Sequence, residues 1–281
     1  EPKFPVFKKP DENNPWSSVR DLPPTLRNTM DLVIDSYNQA YEAYLVGLQK
    51  IDSLQLDTLR EYATSFLVNN EAKLNDEVDQ ATLSEFFTDE LEKIKIDDRF
   101  FALASKVDMR EIGYAGALVV SSALKTKEAV EKLGQLSDTP KFLFAPDSMV
   151  TGDVLYYTDT EYGPFVIGGT GRTIYQGDFA FIVDLGGDDI YQGAAGGSSN
   201  TLLFSICVDL SGDDIYFSDN NFSFGSGFFG AGILIDIVGN DTYNTHDYNL
   251  GCGLFGTGIL YDLDGDDLYD GDCATAGIGF M

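Results

Sequence analysis

Asp184-Leu-Gly-Gly-Asp-Asp-Ile-Tyr191 is the first of four closely similar phrases. Asp209-Leu-Ser-Gly-Asp-Asp-Ile-Tyr216, Asp236-Ile-Val-Gly-Asn-Asp-Thr-Tyr243 and Asp262-Leu-Asp-Gly-Asp-Asp-Leu-Tyr269 follow it. The shared pattern is D-x-x-G-[DN]-D-x-Y, and its leading aspartates stand 25, 27 and 26 residues apart. That spacing suits one turn of a stacked coil, whereas a propeller blade needs four strands and more chain. The phrase predicts a parallel β-solenoid (β-helix) with coils of about 26 residues.

The columns flanking the phrase agree in type. Phe181, Ile206, Ile233 and Ile259 stand three residues before the aspartate, Val183, Val208, Ile235 and Tyr261 one before, and Leu185, Leu210, Ile237 and Leu263 one after. These share one strand parity, so they point to one face and the aspartates to the other. The apolar set is expected to fill the coil interior. On that reading Ile182, Cys207, Leu234 and Leu260 face outward beside Gly230, Gly232, Gly256 and Gly258, a smooth strip that asks for a covering partner.

Working outward, the 281-residue chain carries a net charge of -28, unevenly spread. Residues 142–281 hold one basic residue, Arg172, against 21 acids, of which only Glu161 is a glutamate. Short aspartates are what tight turns and oxygen-rich metal loops prefer. Such acidity excludes nucleic acid and anionic membrane as natural partners, and no apolar run is long enough to span a bilayer. Three cysteines without a C-x-x-C fit neither a disulfide scaffold nor a zinc site. The first residue is Glu1, which suits a processed, exported chain or a trimmed one, and an extracellular or cell-surface location is the expectation.

Before the repeats lie two other compositions. Residues 1–24 carry six of the nine prolines with Phe4, Phe7 and Trp16 between them, an extended leader that lies over its own domain or reaches a neighbour. Residues 25–140 read as a helical bundle. Leu26, Met30, Val33, Tyr37, Ala40, Tyr44, Leu48 and Ile51 recur at helical spacing, and further helices are expected over Leu54–Val68, around Leu83–Ile96, and from Asp97 or Asp108 to about Leu136. Gly113 to Gly116 leaves room for a close neighbour. Residues 141–281 form the solenoid. The fold class is thus α+β in two parts. Two weaker phrases, Gly152 to Tyr156 and Gly168 to Tyr175, open the solenoid; the second has Arg172 and Thr173 at the acid positions and is not expected to hold a cation. The G-x-G-x-x-G strings at Gly225 and Gly251 recur in register and lead into strands, which excludes a dinucleotide loop.

A ladder of aspartates at β spacing has to be neutralised: two unit charges about 5 Å apart repel by roughly 0.8 kcal/mol even in water. The candidate cation ligands are Asp184, Asp188 and Asp189, Asp209, Asp213 and Asp214, Asp236 and Asp241, and Asp262, Asp264, Asp266 and Asp267, with Ca²⁺ the expected ion. The alternative is a turn in which the first aspartate caps backbone N–H groups and the second stays solvated.

Gly187-Asp-Asp189-Ile-Tyr191 resembles half of the RTX calcium nonapeptide, though RTX repeats recur every nine residues. From Tyr162-Gly-Pro-Phe-Val-Ile-Gly-Gly169 onward, the chain more closely resembles uncharacterised secreted bacterial proteins with D-x-x-G-x-D-x-Y repeats. That resemblance implies a surface or extracellular solenoid and no established activity.

No catalytic residue is assigned. His246, the single histidine, falls where the other repeats have unrelated residues, and a glycosidase needs two unlike carboxyls, whereas a ladder makes every coil alike. The expected function is an exported structural or adhesive solenoid that is calcium-stabilised and self-assembles into a filament or surface layer through an open C-terminal coil and the smooth outer face, with cell-surface glycans or proteins as further partners. The alternative is a polysaccharide-active β-helix enzyme. Near the end of the chain, Gly277 to Met281 begins a repeat without its next strand, so the expected explanations are a longer native chain, closure by a neighbour's leader, or head-to-tail stacking.

Overall fold

The computed structural model describes residues 22–71, 98–133, 149–272, 276–277 and 279–280. Residues 1–21 of the proline-rich leader and the helix expected around Leu83–Ile96 lie outside them. The helical region comprises α1 (Pro24–Gly47), α2 (Ser53–Glu71), a short α3 over 98–104 and α4 (Met109–Glu131). Helix α1 starts at a proline, whose missing N–H costs nothing in the first turn. Its buried face, Leu26, Met30, Val33, Tyr37, Ala40 and Tyr44, follows the expected spacing. Asp52 opens α2 by accepting the Gln55 N–H at 2.8 Å, and Gln55 reaches back toward the Asp52 N–H at 3.5 Å, a capping box.

Two compact units contain these elements. One holds the described residues from Leu45 to Glu111; the other joins α1 up to Tyr44 and α4 from Ile112 to the whole solenoid. Within the second unit the Ser36 hydroxyl donates to the Leu118 carbonyl at 2.8 Å, tying α1 to α4.

The solenoid opens with an antiparallel hairpin, β1 (Val150–Thr160) and β2 (Gly163–Gln176). All later pairing is parallel, as a solenoid requires. The first half of β2 pairs with β3 (Phe181–Asp184), followed outward by β5 (Phe204–Asp209), β8 (Ala231–Asp236) and β11 (Thr257–Asp262). Its second half pairs with β4 (Ile190–Gln192), then β6 (Ile215–Ser218), β9 (Thr242–Thr245) and β12 (Leu268–Gly271). A third side is built from β7 (Gly227–Phe228), β10 (Gly253–Leu254) and β13 (Gly279–Phe280). Register holds coil after coil: Asp184 pairs with Asp209, Asp209 with Asp236 and Asp236 with Asp262.

The turn between the two wings explains the motif glycine. Gly187 has φ +131°, and Gly212, Gly239 and Gly265 each pass so close to the preceding coil's carbonyl that a Cβ would collide with it. The same approach lets Gly187, Gly212 and Gly239 donate N–H groups to carbonyls of the following coil at 2.9–3.0 Å.

The interior is the reverse of the parity expectation. Ile182, Cys207 and Leu234 are fully buried in one cluster with Tyr175, Tyr191, Tyr216, Tyr243 and Phe224. They fill the coil, and the aspartates share their side. Phe181, Ile206 and Ile233 point outward and are equally buried, because helices cover that face. There the Tyr37 ring lies edge-on to Tyr162 and Phe165 at 5.3 and 6.2 Å and packs on Phe204 at 5.3 Å, while its hydroxyl donates to the Ala180 carbonyl at 2.6 Å. Gly116 of α4 lies hard against this face, since a Cβ there would collide with the Thr257 side chain. The expected smooth outer strip is therefore corrected. Gly232 and Gly258 face inward, where the returning chain at Ser226 and Cys252 leaves no space for a side chain.

Candidate metal centre

Inside the coil, strands β3, β5, β8 and β11 each end on the first aspartate of the phrase, and the following turn brings the last aspartate back beside it. The structure places Asp184, Asp189 and Asp209 in one group, Asp209, Asp214 and Asp236 in a second, and Asp241, Asp262 and Asp267 in a third, with one carboxylate oxygen from each member within 4.8 Å of the others. Eight of the twelve candidate ligands thus come together. Asp188, Asp213, Asp264 and Asp266 stand outside, exposed along the turns. Two of these serve the stack: the Asp213 N–H donates to Asp188 at 3.2 Å and the Asn240 N–H to Asp213 at 2.9 Å.

Neighbouring coils supply the partners of the buried acids. The Tyr175 and Tyr191 hydroxyls donate to Oδ2 of Asp184 and Asp209, and the Tyr216 and Tyr243 hydroxyls to Oδ2 of Asp236 and Asp262 at 2.6 and 3.1 Å. Each tyrosine serves the aspartate of the following coil, except that Tyr269 also donates to Asp262, at 2.6 Å. The rings form a continuous stack from Tyr175 to Tyr269 with centroids 4.5–4.8 Å apart and planes within 8°. Oδ1 of Asp184 and Asp209 accepts the N–H two residues on, from Gly186 and Ser211, at 2.8 and 2.9 Å. The last aspartates accept backwards: Thr173, Asp189, Asp214 and Asp241 donate N–H groups to Asp189, Asp214, Asp241 and Asp267 at 2.6–3.0 Å.

This network leaves specific oxygens over. Asp189 Oδ2, Asp214 Oδ2, Asp236 Oδ1 and Asp241 Oδ2 are buried and have no hydrogen-bond partner. Burial, reinforced by neighbouring acids, holds Asp184 and Asp209 well above the usual carboxylate range. Burial likewise pushes Asp189 and Asp241 up to about 6, Asp214 to about 7 and Asp236 to about 8. Arg172, the single basic residue of 142–281, is exposed and is the one cation acting on Asp189. Buried carboxyls in such a column are neutralised by protons shared within the Asp184–Asp189, Asp209–Asp214 and Asp236–Asp241 pairs, or by cations. The donor set, all carboxylate with hydroxyl and backbone support, suits a hard divalent cation.

In the weaker phrase before the first good one, Gly168 occupies the column position of Asp184, and a Cβ there would collide with the Asp184 carboxylate and the Tyr175 hydroxyl. The first coil therefore contributes a tyrosine and no acid. The tyrosine ladder is what the sequence reading missed, although the closing Tyr of every phrase marked it. His246 is exposed on another part of the surface, with Nδ1 2.6 Å from Asp272 and Nε2 3.5 Å from Asp219. Cys207 is a free, buried thiol packed inside the coil with Ile182 and Leu234, the reverse of its expected outward placement.

No family model, curated protein or solved structure matches this chain. What stands of the resemblance is the parallel β-solenoid itself. No described helix is long and apolar enough to cross a membrane.

Proposed function

We propose that this protein is an exported structural or adhesive β-solenoid whose buried aspartate column is neutralised by Ca²⁺. One observation carries the reading: carboxylate groups inside the coil retain buried oxygens without partners, and the single basic residue of 142–281, Arg172, is exposed rather than buried among them. Placing the acids inside supports a structural over a catalytic role, since a glycan cannot reach Asp184, Asp209 or Asp236, all fully buried. Surface or extracellular placement is part of the proposal, where a column of calcium sites fitted with oxygen ligands would fill. Self-association belongs to it too. The β12 edge is exposed with Leu268 and Tyr269 on it, and such an edge pairs readily with further β structure.

The test is a calcium titration of chelator-treated protein followed by thermal melting. Ca²⁺ that binds only the folded state at 100 times its dissociation constant adds about 2.7 kcal/mol. A rise in Tm is expected, and an unchanged Tm at millimolar Ca²⁺ would overturn the calcium reading. Light scattering over a concentration series tests association, and the expected result is a mass that grows with concentration. Screening neutral and acidic glycans for turnover tests the absence of catalysis.

A further inference from the structure

The three acid groups are not equivalent. In the group of Asp209, Asp214 and Asp236, both Asp209 oxygens already accept hydrogen bonds, from the Ser211 N–H and the Tyr191 hydroxyl. Asp214 Oδ1 accepts the Asp189 N–H at 2.6 Å and Asp236 Oδ2 the Tyr216 hydroxyl at 2.6 Å. Asp214 Oδ2 and Asp236 Oδ1 remain, two partnerless oxygens on side chains 1% and 0% exposed. Each other group contributes a single such buried oxygen, from Asp189 or from Asp241.

The surroundings are buried and aromatic or apolar. Tyr216 stacks between Tyr191 and Tyr243 at 4.5 Å on either side, and Cys207 and Leu234 belong to the same buried cluster. Mg²⁺ gives up its water reluctantly and needs near-ideal octahedral ligands, whereas Ca²⁺ accepts irregular sets of oxygens. We propose that Asp209, Asp214 and Asp236 form the tightest cation site of the column and hold an ion of calcium's size stripped of its water. This rests on the reading that cations neutralise the column, and adds which site fills first and which ion it selects. Asp209 also belongs to the group of Asp184 and Asp189, so a second ion between those coils shares its carboxylate.

Terbium has calcium's preference for oxygen and nearly its size, and the tyrosine stack is the antenna that excites it. The experiment titrates Tb³⁺ into chelator-treated full-length protein at pH 8, reading tyrosine-sensitised emission, its lifetime in H₂O and D₂O, and displacement by Ca²⁺ or Mg²⁺. The expected result is sensitised emission from a tight site with at most about one inner-sphere water, displaced by Ca²⁺ and not by equal Mg²⁺. Asp214→Asn keeps the acceptor for the Asp189 N–H and removes the charge. It should weaken the tight site at least ~10-fold, because even losing an outer-shell partner of a metal ligand costs that much. Asp213→Asn, one residue away and exposed, should leave it unchanged. Asp236→Asn repeats the test independently, with far-UV circular dichroism confirming the fold of each variant. A tight ion that carries several waters, is displaced equally by Mg²⁺, or is lost with Asp213→Asn overturns this inference while leaving the cation reading intact. No bound Ca²⁺ or Tb³⁺ in equilibrium dialysis overturns both, and leaves shared protons as the neutralising agent.

Discussion

Raising pH on the calcium-free protein is the most direct probe of the buried column. Burial raises Asp189 and Asp241 to about 6, Asp214 to about 7 and Asp236 to about 8, against about 3.9 in an unfolded chain. Between those limits the folded protein binds more protons than the unfolded one, so stability falls as pH rises. Stability from these groups is fully present below about pH 4 and is lost progressively up to about pH 8. The pairs are coupled and release protons jointly, so a conservative count is one extra proton held by the folded state. That gives a slope of about 1.4 kcal/mol per pH unit, or roughly 5 kcal/mol from pH 4 to 8, comparable to the whole stability of many domains. Urea unfolding followed by far-UV circular dichroism at several pH values, in chelator, measures this. Saturating Ca²⁺ should flatten the slope, because the cation replaces the protons. Asp214→Asn should reduce it and Asp213→Asn should not. Stability that stays level or rises from pH 5 to pH 8 in chelator would refute the assignment of the acids to a dry interior.

Other predictions follow from single contacts. Tyr216→Phe preserves the ring stack but strips the hydroxyl from Asp236 Oδ2, and should cost about 1.5–3 kcal/mol in calcium-free protein at pH 8, measured by urea unfolding. Leu234→Arg places a charge inside the coil and should abolish cooperative folding, whereas Ile215→Arg, on the exposed face of β6, should change stability by less than ~0.5 kcal/mol; similar melts for the two would restore the outward assignment of Leu234. Tyr37→Phe removes the donor to the Ala180 carbonyl and should lower stability by about 1 kcal/mol, read as a drop in Tm.

The period and the strand-turn-strand order of each coil were legible in the sequence, because each is a property of one coil repeated in register; of the twelve acids it singled out, Asp188, Asp213, Asp264 and Asp266 stand outside the groups that the stacking forms. Helix α1 was legible for a similar reason: its apolar residues recur on one face, and that face is buried. Periodicity also showed that Val183 and Asp184, or Ile235 and Asp236, point to opposite faces. It left open which face is the interior. Hydrophobicity answers that question only when one face meets water, and here α1 and α4 cover the outer face, so both faces are buried. The aspartates then looked like the outward set because a lone buried carboxyl is costly. Their cost is offset by groups a full coil away in sequence: Tyr216 lies 20 residues from Asp236, and the Asp189 N–H lies 25 residues from Asp214. Sequence alone thus determined the repeat and its chemistry; the stacking of coils decided that this chemistry lies inside, where each coil supplies the hydrogen bonds its neighbour's acids lack.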